Sequence, residues 1–100
     1  MNRIDKKFQE LKKSGKVAFI PYVTAGDPAL DISTKIIMTL AEHGADILEI
    51  GIPFSDPLAD GPIIQAAVSR ALDAGMTVKK VLSLVREIRK KSEIPIVLFT

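Results

Sequence analysis

Apolar residues recur along this chain at two different spacings, and the alternation between them sets out its elements. Ile4, Phe8 and Leu11 fall at i, i+4 and i+7, which predicts a short amphipathic helix closed by Gly15. Val17 to Thr24 is a β-type run. Pro21 within it has no ladder donor, so it must fall at a strand end or an irregularity. Ala25-Gly26-Asp27-Pro28 reads as a loop, with Asp27 as N-cap of the next helix and Pro28 as its first residue. That helix carries Leu30, Ile36, Ile37, Leu40 and Ala41, runs to about His43 and ends at Gly44. Asp46 to Ile52 is the second strand. From about Ile63, an apolar stripe of Ile64, Ala67, Val68, Ala71 and Leu72 predicts a helix ending at Gly75. Thr77 caps a further helix, with Val78, Val81, Leu82, Val85 and Ile88 inward and Lys79, Arg86, Arg89 and Lys90 outward. Ile94 to Thr100 is the third strand, with Pro95 near its start.

The order is therefore helix, strand, helix, strand, two helices, strand. Strands that are apolar on both faces and alternate with helices imply an α/β fold with a parallel sheet. A chain of 100 residues fits at most one small domain. No linker or low-complexity segment interrupts it. No apolar run is long enough to span a membrane. The basic start is broken by Asp5 and Glu10 and leads into no signal-peptide core, so a cytoplasmic location is expected. With no cysteine, disulfides, thiolate metal ligands and a cysteine nucleophile are excluded.

Charge separates the chain into zones. Six of the 14 basic residues lie in the first 16 positions, and six more between Lys79 and Lys91. No Lys or Arg lies between Lys35 and Arg70, an interval that holds Glu42, Asp46, Glu49, Asp56 and Asp60. The acidic middle argues against nucleic acid there. The basic ends read as solvated helix faces.

The candidate chemistry sits in that acidic middle. Leu48 to Gln65 begins as an apolar strand with Glu49 inside it, and passes through a loop punctuated by Gly51, Pro53, Pro57, Gly61 and Pro62. A carboxylate among Ile47, Leu48, Ile50 and Ile52 is stripped of water, which suits a general acid or base. The alternative for Glu49 is an ion pair to a distant partner. Asp60 could fold back toward Glu49, or could cap the following helix. Asp56 before Pro57 is also a usual turn residue. His43 suits a helix carboxyl terminus, where a cation meets the dipole. Tyr22 and Phe99 come near the ends of strands one and three, on the sheet edge where ligands bind in parallel folds. Two rings beside carboxylates suit a flat aromatic substrate; plain packing is the alternative. No dinucleotide, P-loop, zinc-protease or serine-hydrolase motif occurs.

The stretch Leu48-Glu49-Ile50-Gly51-Ile52-Pro53-Phe54-Ser55-Asp56-Pro57-Leu58-Ala59-Asp60-Gly61-Pro62, followed by Ile64-Gln65, closely resembles the signature of the tryptophan synthase alpha subunit family. Pro21 to Pro28, Gly44-Ala45-Asp46, Ala74 to Thr77 and Ile94-Pro95-Ile96 support it, so the resemblance spans essentially the whole chain. It implies a TIM (β/α)8 barrel, of which residues 1–100 would supply the amino-terminal part of a single domain: the first helix and three β-strands with their helices. It implies retro-aldol cleavage of indole-3-glycerol phosphate to indole and glyceraldehyde 3-phosphate, within tryptophan biosynthesis. By the family's pattern, Glu49 is the general acid/base and Asp60 accepts a hydrogen bond from the indole N–H. Tyr22 and Phe99 match substrate-pocket positions. Pro53, Phe54 and Asp56 match a loop bordering the beta subunit of an alpha2beta2-type complex, and the pyridoxal phosphate belongs to that partner. No cofactor, metal, nucleic acid or membrane is expected for this chain. A (β/α)8 barrel needs about 250 residues, so the phosphate-binding loops would lie beyond Thr100. Two other readings compete: a truncated, non-catalytic docking module, and a divalent-cation site of Glu49, Asp56 and Asp60.

Overall fold

Three parallel strands are laid side by side in the order β1-β2-β3, with four helices joining and flanking them. The structure, a computed structural model, describes residues 2–54 and 61–99. The strands are β1 (Tyr22–Thr24), β2 (Leu48–Gly51) and β3 (Ile96–Phe99). The helices are α1 (Arg3–Ser14), α2 (Leu30–Glu42), α3 (Pro62–Asp73) and α4 (Val78–Lys91). Strand alternation divides the sheet into two faces. Val23, Leu48, Ile50 and Ile96 turn toward the helices and join Ile37, Ala71, Val81, Leu84 and Ile88 in the core.

The caps are local and chemical. Asn2 accepts the Asp5 amide at the start of α1, and Gly15 closes it in the left-handed region at φ 67°. Thr77 accepts the Lys80 amide at the start of α4. At the end of α4, Arg89 Nη1 donates to the carbonyls of Ser92 and Ile94, at 3.1 and 2.7 Å. Burial pushes the Arg89 guanidinium below its ordinary pKa. This residue was expected to face solvent; instead it ties α4 to the start of β3. Arg3 docks α1 on Glu93 at 2.7 Å, and that hydrogen bond holds the Glu93 carboxyl below the usual range. His43 Nδ1 lies 2.8 Å from the Thr39 carbonyl at the end of α2, in keeping with a structural role there.

Several boundaries differ from the sequence reading. The Val17–Thr24 run is a regular strand only from Tyr22. Its earlier part still runs beside β2, with the Asp46 amide donating to Phe19 O and the Glu49 amide to Pro21 O. Pro21 can return no donor of its own, which is why the ladder becomes regular only after it. Ala29, not Asp27, is the N-cap of α2. Asp27 instead meets Arg70 of α3 through two hydrogen bonds of 2.7 and 3.1 Å, joining the β1–α2 loop to α3. On α4, Leu84 is 3% exposed while Val78 and Leu82 are 54% and 51% exposed. The buried stripe is thus Val81-Leu84-Ile88, and Val78 and Leu82 lie off it.

Candidate functional site

Register brings the candidate residues to one face and one edge of the sheet. Tyr22 is level with Glu49, and Thr24 with Gly51. Glu49 is level with Val97, and Gly51 with Phe99. Because strand side chains alternate, Tyr22, Thr24, Glu49 and Phe99 share the face opposite the helices. Thr24, Gly51 and Phe99 end their strands at the carboxyl edge, where open α/β sheets and barrels bind ligands, and Tyr22 and Glu49 lie two residues before them on the same face.

Contacts fix the aromatic corner. Tyr22 and Phe99 meet edge to face, with ring centroids 6.4 Å apart and an interplanar angle of 88°. To reach across β2, the Tyr22 ring passes directly over Gly51. A Cβ there would collide with the Tyr22 hydroxyl and stand 2.7 Å from its Cζ. Thr24 Oγ1 donates to the Tyr22 hydroxyl at 3.2 Å. Thr24 itself is 4% exposed. Sequence reasoning passed over both Thr24 and Gly51. The signal was period two: each lies two residues beyond a candidate, on the same face.

Glu49 is partly buried. Its neighbours Leu48 and Ile50 point the other way, into the core. No hydrogen bond or ion pair holds the Glu49 carboxylate among the described residues, so the distant ion pair is not formed there.

The loop after β2 is described only at its two ends. Pro53 is buried and Phe54 is 41% exposed. Together with Ile52 and Val78, they line an apolar cavity of about 350 Å³. At the far end of the loop, the N-cap position of α3 falls on Gly61, and Pro62 is the first helical residue. Asp56 and Asp60 lie outside the described residues, and with them two members of the cation-site reading. A second cavity, about 420 Å³, lies under α1 near the amino-terminal end of β3. It is lined by charged residues such as Arg3, Lys6, Glu10 and Glu93, remote from the Glu49 edge. No described helix is long and apolar enough to cross a membrane.

Comparison with known proteins places this geometry in a wider setting. The sequence model of the family described as "Tryptophan synthase alpha chain" matches residues 8–100. The tryptophan synthase alpha chain of Clostridium kluyveri is 58% identical over 97 residues, which are 97% of this chain and 37% of that one. The crystal structure of tryptophan synthase subunit alpha from Legionella pneumophila superposes with a TM-score of 0.94 at 47% identity. That match covers 98% of this chain and 38% of the Legionella chain. A chain of the tryptophan synthase complex from Pyrococcus furiosus matches at 44% identity with a TM-score of 0.77, over 81% of this chain and 33% of its own. The chain therefore spans a little over a third of the length of the relatives it matches.

Proposed function

The chain belongs to the tryptophan synthase alpha chain family, and from that premise we propose that it forms the amino-terminal part of a (β/α)8 barrel that cleaves indole-3-glycerol phosphate. The observation that carries this reading is the placing of Glu49. Its residue is partly buried, without a hydrogen-bond or ion-pair partner among the described residues, and level with Tyr22, two residues before the carboxyl end of β2.

The chemistry asks for such a group. Protonating the indole ring at C3 makes the ring electron-poor. A base then removes the proton from the glycerol hydroxyl next to that carbon. The carbonyl of glyceraldehyde 3-phosphate forms, the carbon–carbon bond breaks, and its electron pair returns to the ring to give indole. One carboxyl group can give the first proton and, as carboxylate, take the second. In this reading Glu49 is that group. Asp60 accepts a hydrogen bond from the ring N–H, where its fixed charge offsets the positive charge of the protonated ring. Tyr22 and Phe99 form an aromatic wall for the ring. Phe54 and Asp56 lie on the loop that meets a beta subunit.

The test uses a completed barrel, with residues 1–100 joined to the remainder of the Legionella alpha chain. Glu49→Gln should fold and bind substrate, yet lose about 100-fold or more in turnover, because an amide cannot exchange the proton. Near-parental cleavage by this variant would remove Glu49 from the mechanism. Asp60→Asn should lose rate while keeping its melting temperature, since asparagine caps a helix about as well as aspartate but carries no charge. A fall in stability at unchanged rate would assign Asp60 to loop structure instead.

The apolar cavity lined by Ile52, Pro53, Phe54 and Val78 favours a second reading, a docking module without catalysis. Calorimetric titration of a beta subunit with this chain separates the two. Binding without indole release supports the docking reading.

A further inference from the structure

The hydrogen-bond inventory of the Thr24–Tyr22 pair is incomplete on the protein side. Two hydroxyls carry two hydrogens, and the bond between them uses one. Whichever way the pair is oriented, one O–H remains uncommitted among the described residues. It belongs to the face that carries Glu49. Gly51 is what lets it sit there, because any side chain on β2 at that point would displace the phenol. Along β2, Gly51 lies two residues beyond Glu49, a distance of about 7 Å. The spare donor thus lies over Gly51, at the corner where the Tyr22 and Phe99 rings meet.

In the lyase reading, the substrate's flat ring is seated against those two rings, with its edge within reach of that donor. A plain hydrocarbon edge leaves the O–H without an acceptor. A hydroxyl oxygen or another acceptor on the ring satisfies it. We propose that Tyr22 is a specificity-determining residue for substituents on the substrate's ring: the Thr24-anchored hydroxyl donates to an acceptor atom on that ring and favours hydroxyl-bearing indoles over the unsubstituted one. The proposal rests on the lyase reading for the placing of the ring, and on the hydroxyl geometry for the preference.

Two experiments decide it. In the completed barrel, kcat/KM is measured for indole-3-glycerol phosphate and for its ring-hydroxylated counterparts. Tyr22→Phe should lower the ratio of hydroxylated to plain substrate about five-fold for at least one ring position, the worth of one ordinary hydrogen bond. An unchanged ratio at every ring position overturns the proposal. The second experiment uses the completed barrel, with Tyr22→Phe as the reference that identifies the Tyr22 resonance by its loss. With ¹³C at the tyrosine Cζ, that resonance reports the phenol. Hydroxyindole should shift it further than plain indole, whose ring current alone acts on it; equal responses overturn the proposal. A barrel that cleaves neither substrate counts against the lyase reading alone, and the tyrosine resonance then decides the hydroxyl pair.

Discussion

Gly51 has no side chain because Tyr22 occupies the space where one would stand. Glycine here serves a close approach rather than an unusual backbone angle. Gly51→Ala should therefore push the phenol off β2, break the Thr24 bond and separate the Tyr22 and Phe99 rings. In the completed barrel, the difference in near-ultraviolet circular dichroism between parent and variant reads the event. The tyrosine band should weaken as much as it does in Tyr22→Phe, while the far-ultraviolet helix signal stays. A tyrosine band identical to the parent's would show that the ring does not need this gap. At this scale legibility was uneven. Glu49 stood out in the sequence because a charge inside an apolar strand demands a reason. Thr24 did not, because threonine is ordinary in a strand and its role depends on which hydroxyl lies beside it. Asp27 was misread for a related reason: an acidic residue before a proline and a helix looks like a cap. Only the packing of α3 against the β1 region brings Arg70 within reach of it.

Helix existence and order were fully visible in the spacing, since four amphipathic stripes separated by Gly and Pro leave little choice. Helix faces were less so. A stripe on α4 drawn through Val78 and Leu82 and one drawn through Val81, Leu84 and Ile88 are both consistent with helical period. The difference is which side meets Ile37 and Ile50, and that is settled by the sheet beneath. The distinction has a measurable consequence. In the completed barrel, Leu84→Ala should cost about 2–5 kcal/mol, because the methyl groups leave a cavity in the core. Leu82→Ala should change stability far less if that side of α4 stays uncovered when the barrel closes. Thermal melts of the two variants provide the comparison. Equal losses would mean that the rest of a barrel covers Leu82 as well. β1 gives the matching lesson for strands. Eight β-type residues predicted a strand, and Pro21 reduced its regular part to three residues. The proline was the visible clue, but its effect depends on whether its missing donor faces a neighbouring strand. Here it does, across to β2.

On the scale of the molecule, the sheet is built to continue. β1 and β3 are both open edges among the described residues. Phe99 is 53% exposed on the candidate-site face, and Leu98 on the opposite face is also exposed. Phe8 and Phe19 add further exposed aromatic surface. The accessible surface is 6435 Å², against about 5,600 Å² for a folded monomer of this mass. The radius of gyration is 14.0 Å, against about 13 Å for a compact domain of this length. Both excesses have the sign that an open sheet produces. Open edges and exposed apolar faces drive association, and a closed barrel removes the edges altogether. The 100-residue chain alone should therefore be oligomeric, aggregated or only partly ordered, and should release no indole from indole-3-glycerol phosphate. Sedimentation velocity and thermal melting across a hundred-fold range of concentration test this. The expected result is a sedimentation coefficient that rises with concentration and a broad or concentration-dependent melt. Adding the remaining barrel of the Legionella alpha chain in trans should suppress that association, because the same edges and faces would then be covered. A monomer with a sharp, concentration-independent melt would mean that the core around Ile37, Leu48, Ile50 and Ile88 suffices by itself.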